Sequence, residues 1–125
     1  ALRWEPDYSV NEYLMDHLLT ARPKSHVIRM SGTDDVISAG WLVENRGVVQ
    51  HFARLVLTVD EIRFSFTGRN QPIPAGLAVV VTMQTVPSPW PHSRHLEATL
   101  LAYENDALGN FEREIARHTF QITTV

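Results

Sequence analysis

The chain has 125 residues, of which 44% are hydrophobic and 20% charged, and these proportions are typical of one globular domain. With 11 basic and 14 acidic residues its net charge is −3, which disfavours nucleic-acid binding. It has no cysteine, which excludes disulfides, thiolate metal sites and a cysteine nucleophile. No apolar run reaches the roughly 18 residues of a membrane span, and the chain does not open with a basic-then-apolar leader. We therefore expect a single cytoplasmic domain over residues 1–125, with neither a membrane nor a nucleic acid as partner.

The first predicted element is a helix over residues 10–21. Ser9 and Glu12 form a capping box at its start. Aliphatic residues then recur at helical spacing until Pro23, which ends the helix. A short strand over residues 26–31 follows.

Residues 36–59 are compatible with two structures. One is a pair of strands over 36–43 and 48–59. The other is a single helix over 39–57. Gly47 costs a helix about 1 kcal/mol, and the β-branched valines also count against it. The local signals therefore favour the strands.

The second half predicts an antiparallel meander of four strands. Hydrophobic residues alternate with polar ones, and prolines separate the runs because proline cannot join the interior of a ladder. The predicted strands cover 62–67, 77–86, 96–104 and 111–125, with a loop over 68–76 and a proline-rich loop over 87–91.

Several stretches match the pattern of a known fold. They are residues 18–23 (Leu-Leu-Thr-Ala-Arg-Pro), 39–45 (Ala-Gly-Trp-Leu-Val-Glu-Asn), 62–64, 72–77 and 116–122. These stretches resemble the hot-dog acyl-carrier-protein dehydratases, in which an antiparallel sheet wraps one central helix. Residues 29–34 (Arg-Met-Ser-Gly-Thr-Asp) are similar to the Arg-x-x-Asp-Thr-Asp pattern of hot-dog thioesterases.

The resemblance implies an α+β, hot-dog-like fold in which an N-terminal helix precedes the sheet and the helix at 39–57 is the central one. A mainly-β sandwich or barrel with an N-terminal helix is the alternative. The implied activity is that of a 3-hydroxyacyl-thioester dehydratase-like lyase, with a hot-dog acyl thioesterase as the alternative.

Three residues are candidates for the chemistry. On a central helix, Glu44 lies on an apolar face, where loss of solvation raises the pKa of a carboxyl towards the range of a general acid or base. His51 follows two turns later and is its candidate partner. In a thioesterase, Asp34 or Glu44 would activate water. In the alternative interpretation Glu44 and Asp34 are ordinary turn residues.

The candidate substrate-binding residues are Gly40, Trp41 and Asn45. Backbone N–H groups near Gly40, at the start of the central helix, would bind the thioester carbonyl, because a helix N-terminus favours negative charge. No metal and no organic cofactor is expected, since the phosphopantetheine or coenzyme A arrives with the substrate. The expected partners are an acyl carrier protein or acyl-CoA, and further copies of the chain.

A function of another class is also open. The Gly-His-Phe-Pro loop of the dehydratases is absent ahead of Glu44. The chain can therefore be a non-catalytic β-sandwich or barrel that binds a partner or an apolar ligand, or that assembles through its edge strands.

Overall fold

The computed structural model describes residues 21–33, 36–86, 90–105 and 112–124, the first of these ranges by its backbone alone. In chain order the strands are β1 (Ala21–Thr33), β2 (Val36–Asn45), β3 (His51–Val59), β4 (Phe64–Thr67), β5 (Gln71–Ile73), β6 (Ala78–Gln84), β7 (His95–Asn105) and β8 (Glu112–Thr123), with a 3-10 turn at Asp60–Ile62. These ranges contain no α-helix, and none of their helical turns is long and apolar enough to cross a membrane. The predicted helix over 10–21 lies outside the described residues, except for its last position, where β1 begins.

The strands form two antiparallel sheets. The smaller sheet has the order β1-β2-β6, and the larger has the order β4-β3-β7-β8, with β5 also paired to β3. Both sheets contribute buried side chains to a single hydrophobic core, which includes Trp41 from the smaller sheet and Leu55 and Leu100 from the larger. The described chain is therefore a β-sandwich.

The predicted hot-dog fold is wrong, because no central helix exists over residues 39–57. Those residues form β2 and β3. Ile37, Ala39, Trp41 and Val43 are all buried and alternate along β2, so the burial period is two. A helix over 39–57 would place Val48 on the same face as Trp41, two turns apart, but Val48 is 94% exposed and Trp41 is fully buried.

The strand positions predicted for the second half are confirmed, but the meander is not. β6 leaves the larger sheet and pairs with β2, while β4 and β7 flank β3. The loop predicted over 68–76 contains the short strand β5.

The two sheets approach each other closely at Gly68, between β4 and β5. Its N–H donates to the carbonyl of Leu55 at 2.7 Å. A Cβ added at this position would lie 2.9 Å from both Leu55 O and Met83 Cβ. Only glycine therefore allows the edge of β6 to reach the larger sheet here.

Candidate functional site

The residues predicted to form one site on a helix are separated by the strand geometry. Trp41 and Asn45 point into the sandwich and are fully buried. Gly40 and Glu44 have the opposite phase on β2, and Gly40 is buried whereas Glu44 is partly exposed. Asp34 lies outside the described residues.

Glu44 is not the partner of His51. Glu44 lies at the end of β2, and its Oε1 accepts a hydrogen bond from Arg46 Nε at 2.5 Å. His51 begins β3 in the other sheet. The common helix face that predicted an acid–base pair of these two residues does not exist.

His51 instead pairs with Glu104, near the end of β7. Its Nδ1 lies 2.7 Å from Glu104 Oε1, and the two side chains are 13% and 2% exposed. A buried carboxylate at this position fixes the orientation of the imidazole. Sequence reasoning missed Glu104, although one signal was available. It lies in phase with Leu100 and Ala102, so a carboxyl occupies the apolar face of a predicted strand.

Asn45 closes the turn between β2 and β3. Its side-chain nitrogen donates to the carbonyls of Val49 and Ile73, at 2.9 Å each. Its Oδ1 accepts the N–H of Gly47 at 2.8 Å. The amide of Asn45 thus holds three backbone groups in place, which is a structural role.

Two asparagine side chains lie at the same end of the larger sheet as His51 and bond to each other. Asn70 and Asn105 exchange hydrogen bonds between their side-chain amides, at 2.9 and 2.7 Å. In the β3–β7 ladder Asn105 pairs with Phe52, which is the residue that follows His51. This end of the sandwich therefore contains polar groups that bond to one another, and among them Glu104 and Asn105 are buried whereas Asn70 is exposed.

An open groove lies between β2 and β6 of the smaller sheet and the β4–β5 segment of the larger sheet. Its volume is about 600 Å³, and its lining residues are Ser38, Ala39, Gly40, Phe66, Gly68, Arg69, Val80, Thr82, Met83 and Gln84. Arg69 is the single charged residue in this lining, and it forms no ion pair within the described ranges. Gly40 is the one predicted substrate-binding residue that lines the groove.

Gln71 bridges β5 to the free edge of β6 beside this groove. Its Nε2 donates to Thr82 O at 2.8 Å, and its Oε1 accepts Thr82 N–H at 3.2 Å. The side-chain amide thus bonds to β6 as a peptide unit of a neighbouring strand would. The geometry shows that the edge of β6 accepts an amide partner.

Comparison with protein-family models, curated proteins and solved structures finds no match to this chain.

Proposed function

We propose that this protein is a non-catalytic β-sandwich that binds a partner through the groove along β6. The proposal rests on the volume and the lining of this groove. Its volume of about 600 Å³ lies within the range of about 300–1,000 Å³ typical of ligand sites. It combines apolar walls, such as Phe66 and Val80, with hydrogen-bonding groups, such as Ser38 and Gln84.

The chemistry of the groove supports binding over catalysis. Its lining offers hydroxyl groups, an amide and the Arg69 guanidinium, but no carboxyl and no imidazole. General acid–base catalysis needs a group that exchanges a proton near neutral pH, and none of these groups does so. A guanidinium stays charged and suits the recognition of a carboxylate.

The test is a binding experiment read by NMR. The ¹⁵N-labelled protein is titrated with decanoate, with maltose and with a short extended peptide. We expect one of these probes to shift the backbone amide resonances of Gly40, Thr82 and Gln84. The control variant Arg117→Ala alters the outer face of the larger sheet and should bind as the wild type does.

The result that contradicts the proposal is equally concrete. A ligand that shifts only resonances of the larger sheet, such as Thr99 and Thr119, would place binding elsewhere. The same conclusion follows if none of the three probes shifts a groove resonance at millimolar concentration.

The His51–Glu104 pair favours acyl-thioester chemistry as a second candidate function. An imidazole oriented by a carboxylate is a common arrangement for a general base. Acyl-CoA and acyl-carrier-protein substrates would be assayed for enoyl formation and for thiol release. His51→Gln should then remove the activity, whereas His95→Gln, an exposed histidine at the opposite end of β7, should retain it.

A further inference from the structure

One wall of the groove is the segment from Gly68 to Gln71, and this segment is fixed at both ends. Gly68 N–H donates to Leu55 O at 2.7 Å. The Gln71 side chain bonds to both backbone groups of Thr82, at 2.8 and 3.2 Å. The segment thus covers the centre of the β6 edge, and a further strand has no open edge to pair with there. The groove therefore suits a small molecule that lies against its walls.

Arg69 belongs to this fixed segment and brings a positive charge to the groove. The Gln71 amide that bonds to β6 also donates to the carbonyl of Arg69, at 3.3 Å. The Arg69 side chain is exposed and forms no ion pair with any residue that the structure describes. A guanidinium in this position attracts an anion, and its planar donors match the two oxygens of a carboxylate.

The rest of the groove offers apolar surface. Gly40 lines the groove although it is buried, so this residue without a side chain lies at the bottom. Phe66 and Val80 form the walls, and Val80 is 45% exposed. Removal of such apolar surface from water is favourable in proportion to its area. The groove can therefore bind an apolar chain beside the positive charge.

The charge of the lining favours a carboxylate over a phosphate. Arg69 is the single charged residue among the described lining residues, so the groove balances one negative charge. A phosphate group carries nearly two at pH 7, whereas a carboxylate carries one. The Ser38 hydroxyl and the Gln84 amide add neutral hydrogen-bond donors to the lining.

We propose that the groove binds an amphipathic monocarboxylate, such as a medium-chain fatty acid. Its carboxylate pairs with the Arg69 guanidinium, and its apolar chain lies along Phe66 and Val80 towards Gly40. This inference rests on the proposed function, because it names the ligand of the same groove. The apolar chain provides most of the affinity, and the ion pair fixes the orientation of the ligand.

The experiment titrates the full ¹⁵N-labelled chain with the straight-chain carboxylates from butanoate to decanoate. Octanol and octylamine, which replace the carboxylate of octanoate by a neutral or a positive group, are titrated beside them. Dissociation constants come from the amide resonances of Gly40, Thr82 and Gln84. The variants are Arg69→Gln, Arg69→Glu and Gly40→Val. The matched control is Arg63→Gln, because Arg63 is also exposed, forms no ion pair within the described ranges and lies outside the groove.

We expect octanoate to bind at least five-fold more tightly than octanol, and octylamine to bind most weakly. Raising the salt concentration should weaken the binding of octanoate but not of octanol, because salt screens an exposed ion pair. From butanoate to decanoate the affinity should rise at least ten-fold, since each added methylene group loses contact with water.

The variants separate the two parts of the site. Arg69→Gln should abolish the preference for octanoate over octanol, and Arg69→Glu should make octylamine the tighter ligand. Gly40→Val fills the bottom of the groove and should weaken octanoate and octanol alike. Arg63→Gln should bind all ligands as the wild type does. The Arg69 variants alter an exposed side chain, so they test the inference even if Gly40→Val does not fold.

Three results would overturn the inference. If octanol binds as tightly as octanoate, or if Arg69→Gln keeps the preference, the groove does not recognise the carboxylate, and the proposed function stands. If no carboxylate shifts the groove resonances but maltose or the extended peptide does, the ligand is of another class, and the proposed function again stands. If the carboxylates shift only resonances of the larger sheet, such as Thr99 and Thr119, both proposals fail.

Discussion

The outer faces of the two sheets differ although both sheets cover one core. On the larger sheet, polar side chains bond to one another along and across the strands. Arg54 of β3 bonds to Glu112 of β8, Glu114 bonds to Arg117 within β8, and Thr99 of β7 lies beside Thr119 of β8. Such pairs satisfy the polar groups of a solvated sheet face.

The outer face of the smaller sheet lacks that pattern along β2 and β6, the two strands whose side chains the structure describes. Along β2 and β6 it presents small and aliphatic residues, including Gly40 and Val80, together with the hydroxyl groups of Ser38 and Thr82. Glu44 is the one carboxylate of β2, and it is already bonded to Arg46. The polar side chains named on the larger sheet thus bond to one another, whereas β2 and β6 leave hydrogen-bonding capacity and apolar area for a partner. The predictions below test that difference.

The largest effect should follow loss of the buried His51–Glu104 contact within the larger sheet. His51→Leu leaves Glu104 buried without its imidazole, and such a change costs about 3–5 kcal/mol of unfolding free energy. Urea unfolding monitored by circular dichroism measures it. Removing an exposed ion pair by Arg117→Ala should cost less than about 1 kcal/mol. Similar losses in both variants would contradict the buried character of the pair.

The next largest effect should arise where the two sheets meet. Gly68→Ala places a Cβ 2.9 Å from Leu55 O and Met83 Cβ, and overpacking of this kind costs about 1–3 kcal/mol. Gly76 is the matched control, because its φ is +76° and no atom lies within 4 Å of its added Cβ.

Substitution by asparagine separates the two reasons for a glycine, which are the close contact at Gly68 and the positive φ at Gly76. Asparagine tolerates a positive φ, so Gly76→Asn should be nearly neutral, whereas Gly68→Asn should be at least as destabilising as Gly68→Ala. The thermal midpoints of these three variants and of the wild type check this. If the two asparagine variants melt together, the contact at Gly68 is not the reason for glycine there.

Removal of the Gln71 bridge should have a smaller effect on stability. It should also cause the protein to associate with itself. Gln71→Leu loses the hydrogen bonds to Thr82, at a cost of about 1–2 kcal/mol, and leaves the whole edge of β6 open. We expect concentration-dependent self-association by light scattering. Gln121→Leu, on the charged edge formed by β8, should remain as the wild type.

The sequence predicts most of the strands, because their residues alternate with period two. It does not predict their partners. Nothing local shows that β6 leaves β4 and pairs with β2, since this depends on Gly68 and Gln71 bringing distant edges together. The hot-dog interpretation of residues 39–57 was wrong for a different reason, because a short resemblance was given more weight than the β-branched valines, which favour strands.

The candidate site shows a similar limit. The sequence predicted Glu44 as the partner of His51, but the carboxylate beside His51 is Glu104, 53 positions further along the chain. Gly40 lies in the groove as part of a strand and not at the start of a helix. Asn45 stabilises the turn between β2 and β3, and Trp41 packs in the hydrophobic core. A single sequence does not show which of its strand ends meet, so it cannot place these side chains relative to one another.

The smallest expected effect is an alkaline loss of stability on the outer face of the larger sheet. Burial raises the pKa of Tyr103 above its ordinary value of 10.0, and the nearby carboxylates of Glu114 and Glu112 raise it further. As the pH rises past 10, the tyrosine of the unfolded chain ionises first, so unfolding becomes more favourable. Below that pH both states keep the proton and the contribution is constant.

Urea unfolding between pH 8 and 11 should therefore show stability falling above pH 10, with a shallower fall in Tyr103→Phe and in Glu114→Gln. The chain has one lysine, no cysteine and two other tyrosines, so few other groups titrate in this range. Identical pH profiles for the wild type and Tyr103→Phe would show that the charged outer face does not hold this proton.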